Sequence, residues 1–146
     1  IPLFITRLLA GKKVPVYGKG INVRDWLYVE DHCIAIDRII TDGKIGETYC
    51  IGGNEERANI DVVNVLLKLL DRDESYVEYV KDRPGHDLRY AMDYSKIKNE
   101  LGWEPSVTFE EGIARTIEWF KQHREWADNC TSGAYQEYYK EQYGNE

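Results

Sequence analysis

The stretch WLYVEDHCIAIDRIITDGKIGETYCIGG, residues 26–53, decides the fold class. Trp26-Leu27-Tyr28-Val29 reads as an extended piece rich in aromatic and β-branched residues. It leads into a helix whose apolar stripe is Cys33, Ile36, Ile39 and Ile40, and Gly43 and Gly46 end that helix. Thr48-Tyr49-Cys50-Ile51 then follows as a buried-looking strand before Gly52-Gly53. Short strands alternating with helices predict an α/β arrangement. The helix over 29–40 and the strand over 48–51 are patterned to pack on something larger. Their apolar faces are expected to be covered by another chain or by rearranged helices.

The flanks extend the same alternation. Upstream, Phe4, Ile5, Leu8 and Leu9 have helical spacing, with Pro2 near the start and Gly11 as the stop. Val14-Pro15-Val16-Tyr17 reads as a strand ending at a Gly18-Lys19-Gly20 turn. Downstream, Asn59 is placed to cap a helix with Val62, Val63, Leu66, Leu67 and Leu70 on one face. Tyr76 to Val80 is a further strand. Asp93 can cap a short helix carrying Ile97 and Leu101, which Gly102 closes. Thr108-Phe109-Glu110-Glu111 is a capping box that opens a longer helix with Ile113, Ile117 and Phe120 inward. The tail from Ser132 is rich in Tyr, Gln and Glu, with weaker periodicity.

The 146 residues, 42% of them hydrophobic, suffice for one compact core without metal or disulfide support. No apolar run approaches the ~20 residues needed to span a bilayer. A formal charge of −7 with no basic patch argues against nucleic acid as a partner. Any bound anion must therefore be gripped locally by a few cations. Cys33, Cys50 and Cys130 lack metal-ligand spacing and read as free thiols of a reducing cytoplasm. Cys33 and Cys50 are expected to be small buried hydrophobes. The chain opens Ile1-Pro2-Leu3-Phe4 without an initiator Met, so it is expected to be a piece of a larger protein.

Three groups of residues could carry chemistry. Arg24 follows the glycine turn, where its guanidinium could meet a phosphate with paired hydrogen bonds. On spacing alone, a surface ion pair of Arg24 with Asp25 or Glu30 is the favoured reading. In Asp82-Arg83-Pro84-Gly85-His86-Asp87, the Pro84-Gly85 turn lets Arg83 and His86 project to one side, an arrangement suited to a diphosphate. An ordinary polar loop is the competing description. Asn59 could touch a ligand while capping its helix, because helix N-termini favour anions.

Two patterns are discounted. Gly18-Lys19-Gly20-Ile21-Asn22-Val23 begins like a dinucleotide fingerprint but has Val23 where the third Gly belongs and opens no βαβ unit. Tyr94 and Lys98 match a Tyr-x-x-x-Lys pair, which is common on helix surfaces and here has no cofactor loop beside it. No metal ligands and no catalytic apparatus are expected in this chain.

Taken in order, several motifs resemble the C-terminal part of the dTDP-glucose 4,6-dehydratases, within the extended short-chain dehydrogenase/reductase superfamily. They are Ile1-Pro2-Leu3-Phe4-Ile5, Pro15-Val16-Tyr17-Gly18, Val23-Arg24-Asp25-Trp26-Leu27-Tyr28-Val29-Glu30-Asp31-His32 and Tyr49-Cys50-Ile51-Gly52-Gly53-Asn54-Glu55. Asn59-Ile60-Asp61-Val62-Val63, Asp82-Arg83-Pro84-Gly85-His86-Asp87, Leu101-Gly102-Trp103-Glu104-Pro105 and Ser132-Gly133-Ala134-Tyr135-Gln136 continue the series. Asn54, within the Gly-Gly-x-x-Glu stretch, departs from the family pattern.

The resemblance implies that residues 1–146 are a C-terminal nucleotide-sugar-binding domain of helices and a few short strands. It places an NAD-holding N-terminal Rossmann domain outside the chain, with no cofactor expected on the chain itself. It implies a cytoplasmic lyase, homodimeric when intact, that converts dTDP-glucose to dTDP-4-keto-6-deoxyglucose, a precursor of rhamnose and other deoxysugars. The catalytic groups of the family lie upstream, so the chain alone is expected to be inactive and to self-associate. Carried over by motif are Arg24, Arg83 and His86 around the diphosphate, Asn59 beside them, Pro15 and Tyr17 at the base, and Tyr135 as a C-terminal substrate contact. A UDP-sugar epimerase, a UDP-glucuronate decarboxylase and a non-enzymatic interaction module are the alternatives.

Overall fold

A computed structural model describes residues 1–130 and 133–143. The chain begins with α1 (Pro2–Leu9), where Pro sits at the first helical position and needs no N–H partner. Gly11, at φ +72°, turns the chain into β1 (Val14–Tyr17). After the Gly18–Gly20 turn come β2 (Val23–Asp25) and α2 (Val29–Asp42). Next are β3 (Glu56–Ala58), α3 (Asn59–Leu69), β4 (Val77–Val80) and β5 (Arg89–Tyr90). The C-terminal part is helical: α4 (Ser95–Leu101), α5 (Phe109–Gln122), α6 (Arg124–Cys130) and α7 (Ala134–Tyr143).

The strands form two small sheets. β1 pairs in parallel with β4, Val14 opposite Val77 and Tyr17 opposite Val80. In the second sheet β2 is central, antiparallel to β3 and parallel to β5, with Arg24 opposite both Arg57 and Tyr90. The main core joins Ile5 and Leu8 of α1, Val14 and Val16 of β1, and Val62, Val63, Leu66 and Leu67 of α3. Phe109, Ile113, Ile117 and Phe120 of α5 close it. The capping box that starts α5 is formed: Glu111 N–H donates to Thr108 Oγ1, and Thr108 N–H donates to the Glu111 carboxylate. A second, smaller core holds Ala35, Ile97 and Trp103, with Leu27, Ile39, Tyr49 and Leu101 packed against it.

Asp31 links α2 to the loop before α5. It is 2% exposed, and its carboxylate accepts bonds from Ser106 N–H (3.1 Å), Ser106 Oγ (2.7 Å) and Val107 N–H (3.0 Å). Asp25 does the same for the glycine loop, accepting from Gly53 N–H at 2.8 Å and Glu55 N–H at 3.0 Å. A Cβ at Gly53 would stand 1.9 Å from the Trp26 carbonyl oxygen, so only glycine permits that approach.

Four local expectations fail, each for a non-local reason. The strand lies at Val23–Asp25 and not at Trp26–Val29, because β3 and β5 offer ladder partners only to the earlier residues. Trp26 N–H still donates to the Glu55 carbonyl at 3.1 Å, after which the chain turns into α2. Residues 48–51 form no strand, since no neighbouring strand pairs with them among the described residues. Asn59 is the first residue of α3 and not its cap; the cap position is Ala58, with no side-chain bond. The stripe of α2 is left largely open, as a face patterned to pack on something larger would be: Ile36 is 42% and Ile40 79% exposed, while Ile39 packs on the second core beside inward Asp31 and Ala35. Cys33, on the open side of α2, and Cys50, in the unpaired 48–51 segment, are exposed free thiols, not buried ones.

Asp93 does cap α4, one residue upstream of the geometric cap, by accepting from Ser95 N–H at 2.8 Å. Tyr94 and Lys98 are occupied structurally, Tyr94 edge-on to Trp103 and Lys98 paired with Glu104 at 2.5 Å.

Candidate functional site

The end of β1 is where the candidate residues meet. Pro15, Val16 and Tyr17 run along one wall of a cavity of about 150 Å³, whose other walls are Ile1 and Phe4 of α1, Trp26, and Asn59 and Val62 of α3. α3 brings its N-terminus to this cavity, where the helix dipole favours negative charge, although its first two N–H groups already donate to the Asn22 and Gly20 carbonyls at 3.0 and 2.9 Å. The walls are aromatic and aliphatic, a surface suited to a flat base.

Tyr17 joins the cavity to a cationic loop. The Arg83 guanidinium lies 5.9 Å above its ring, and the His86 imidazole meets it edge-on, also at 5.9 Å. The Pro84-Gly85 turn, with Gly85 at φ +70°, lets both side chains reach the same ring. Asp82 holds the base of the turn: its Oδ1 accepts from Arg83 N–H at 2.9 Å and lies 2.7 Å from His86 Nδ1. The hydrogen bond from His86, with the Arg83 N–H beside it, keeps the Asp82 carboxyl below the usual carboxylate range.

Arg24 comes from β2 to the far end of the same loop, donating from Nη2 to the Asp87 carbonyl at 3.0 Å. Buried Asn22 also donates to that carbonyl, at 3.1 Å. Neither Asp25 nor Glu30 pairs with Arg24: Asp25 serves the glycine loop, and Glu30 faces Arg115 at 3.9 Å. The loop over 82–87 therefore gathers two guanidinium groups and an imidazole from β2 and from its own turn.

Tyr135 is placed apart from this group. It is half-buried on α7, near Arg7 and beside Tyr139, and is not among the cavity walls. Burial pushes its phenol up. The same helix does reach the site through Gln142, whose Nε2 donates to the Tyr17 hydroxyl at 3.4 Å. Ser132 lies outside the described residues. Trp26 is the wall residue that sequence reasoning missed as part of a site. Its indole stacks edge-on to Phe109 and donates to the Arg57 carbonyl, a placement set by α5 and β3.

The glycine turn does not fit a dinucleotide. It connects two strands, and a Cβ on Gly20 would meet Val16 and Ile60 at 2.9 and 3.0 Å. Its close approach is to protein, not to an open cradle for a pyrophosphate. No group of His, Cys, Asp and Glu among the described residues could hold a metal ion. None of the described helices is long and apolar enough to cross a membrane.

The sequence model of the GDP-mannose 4,6 dehydratase family matches residues 1–116. The chain belongs to this family. Within it, the chain is 53% identical over 150 residues to the dTDP-glucose 4,6-dehydratase of Escherichia coli, covering 98% of this chain and 42% of that protein. The dTDP-glucose 4,6-dehydratase of Xanthomonas campestris is 51% identical over 144 residues, covering 92% and 41%. Among solved structures, DesIV of Streptomyces venezuelae, a dTDP-glucose 4,6-dehydratase with NAD and TYD bound, superposes with a TM-score of 0.84. It is 48% identical and covers 86% of this chain and 39% of that one. The UDP-glucose 4-epimerase of Thermotoga maritima, solved with UDP-glucose, superposes at 0.77 and is 33% identical, covering 82% and 38%. The chain spans about two fifths of the length of the curated relatives it matches. Its α/β fold is that of the Rossmann-type extended short-chain dehydrogenases.

Proposed function

We propose that this chain is the nucleotide-sugar-binding part of an NAD-dependent dTDP-glucose 4,6-dehydratase. The observation that carries the reading is the meeting of Arg83 and His86 on the ring of Tyr17, at one end of a cavity walled by Pro15 and Asn59. Flat apolar walls suit a thymine base, and the cations around residues 82–87 suit the diphosphate that follows it. Such remote grip holds the sugar in register for chemistry elsewhere. NAD, which the related enzymes carry, supplies the hydride step when bound and would be held by sequence outside this chain. Residues here bind and orient the nucleotide. The test is turnover by the full-length protein: dTDP-glucose should lose water to give the 4-keto-6-deoxy sugar. Inversion of a UDP-sugar without loss of water would instead make it an epimerase, the reading that the Thermotoga similarity favours.

The outward stripe of α2 belongs to the same proposal. Val29, Ile36 and Ile40, with fully exposed Ile45 beyond them, would pack on the NAD-binding half. Residues 1–146 alone should then self-associate on gel filtration. A well-behaved monomer would count against that packing.

A further inference from the structure

We propose that Arg7 is a positioning residue for the nucleotide site: through the ring of Tyr139 it clasps α7 against α1, and α7 in turn fixes Tyr17. The inference rests on the function proposed above. Arg7 is a buried cation, 8% exposed, that the site does not otherwise use. It stands in the last turn of α1, where its Nε donates to the Lys13 carbonyl. Its guanidinium lies 4.9 Å from the centre of the Tyr139 ring, a cation–π contact that strengthens where water is excluded. Tyr135, one turn earlier on α7, is half-buried beside Tyr139, with 6.3 Å between the ring centres.

The hold on α7 is local. Among its described side chains Tyr135 and Tyr139 are half-buried, while those at 137, 138, 140, 141 and 142 are exposed. A helix with so little buried surface can open without unfolding the rest of the chain. When docked, it brings Gln142 Nε2 to the Tyr17 hydroxyl at 3.4 Å. Tyr17 is the ring over which Arg83 stands and which His86 meets edge-on, each at 5.9 Å. The bond from Gln142 ties the far end of that ring, so docked α7 sets the surface that arranges the cations. Undocked α7 leaves Tyr17 without that bond. Coupling of this kind is reciprocal: the factor by which docking tightens nucleotide binding is the factor by which nucleotide tightens docking.

The experiment follows tryptic cleavage after Lys140 of α7 in the full-length protein, by mass spectrometry, with and without saturating dTDP-xylose. This probe has no C6 from which water can leave, and calorimetry gives its Kd. Trypsin cuts a helix only when it opens, so the rate tracks the open population. In the wild type the probe should slow the cut by about fivefold to tenfold. Arg7→Met would also remove the bond to Lys13, so the variants are placed on Tyr139, at the exposed end of the clasp. Tyr139→Leu should be cut faster, and its Kd should rise by about the factor of protection seen in the wild type. Tyr139→Phe keeps the ring face over Arg7 and should match the wild type in both measurements. Wild-type binding that leaves the cleavage rate unchanged, or a Tyr139→Leu protein that binds as tightly as the wild type, would overturn the inference and leave the function standing. Tyr139→Phe behaving like Tyr139→Leu would overturn it in the same way. No binding of dTDP-xylose by the wild type would overturn both.

Discussion

Asp31→Ala should cost roughly 3 kcal/mol of stability. The carboxylate is 2% exposed and satisfies three donors, two of them backbone N–H groups of Ser106 and Val107. Alanine would leave those N–H groups without an acceptor, at a cost of about 1–3 kcal/mol each when buried. The Ser106 hydroxyl can rotate to another partner, so it adds little. Ser106→Ala should therefore cost only about 1 kcal/mol. Asp31→Asn should fall between, because an amide oxygen can accept one N–H while its NH₂ group confronts the other. Urea denaturation of the three variants checks the order. Equal losses from Ser106→Ala and Asp31→Ala would show that the hydroxyl, not the pair of N–H groups, needs the carboxylate.

Arg83→Ala should weaken dTDP binding by roughly 2 kcal/mol, about thirtyfold in Kd, in the full-length protein. The value is taken from the low end of what a desolvated charge pair is worth, because the guanidinium is exposed here and water screens it. Two contributions add: lost attraction to the diphosphate, and lost stacking over Tyr17. Arg83→Lys should recover the charge but not the planar, forked donor set, and so restore binding only in part. Calorimetric titration with dTDP separates the outcomes. Full recovery by lysine would mean that charge alone matters at this position.

Features set by neighbours in sequence were legible before the fold was known. Pro2 and Gly11 bound α1, the Thr108–Glu111 box starts α5, and Val62, Val63, Leu66 and Leu67 share the buried face of α3. Each depends on a few adjacent residues. Features set by distant partners were not. β2 is shifted to Val23–Asp25 by the ladders of β3 and β5, and residues 48–51 lack any strand to pair with. Ala58 takes the cap position because β3 runs directly into α3, which leaves Asn59 inside the first turn.

The candidate site divides the same way. The Pro84-Gly85 turn announced that Arg83 and His86 could share a side, and both do meet Tyr17. By its spacing Arg24 reads first as half of a local ion pair. Only the β2–β5 ladder brings it to the Asp87 carbonyl instead. Trp26 gave no sign of being a cavity wall, because α1, β1 and α3 must first assemble around it. Tyr135 remains apart from the cavity, and α7 touches Tyr17 through a residue that no motif marked, Gln142.

A crystal structure of the full-length protein with dTDP-xylose would test the nucleotide grip most directly. Arg24, Arg83 and His86 should all lie within hydrogen-bonding distance of the pyrophosphate oxygens, with thymine against Pro15 and Tyr17. A pyrophosphate lodged elsewhere, with those three side chains still turned to their own loop, would contradict it.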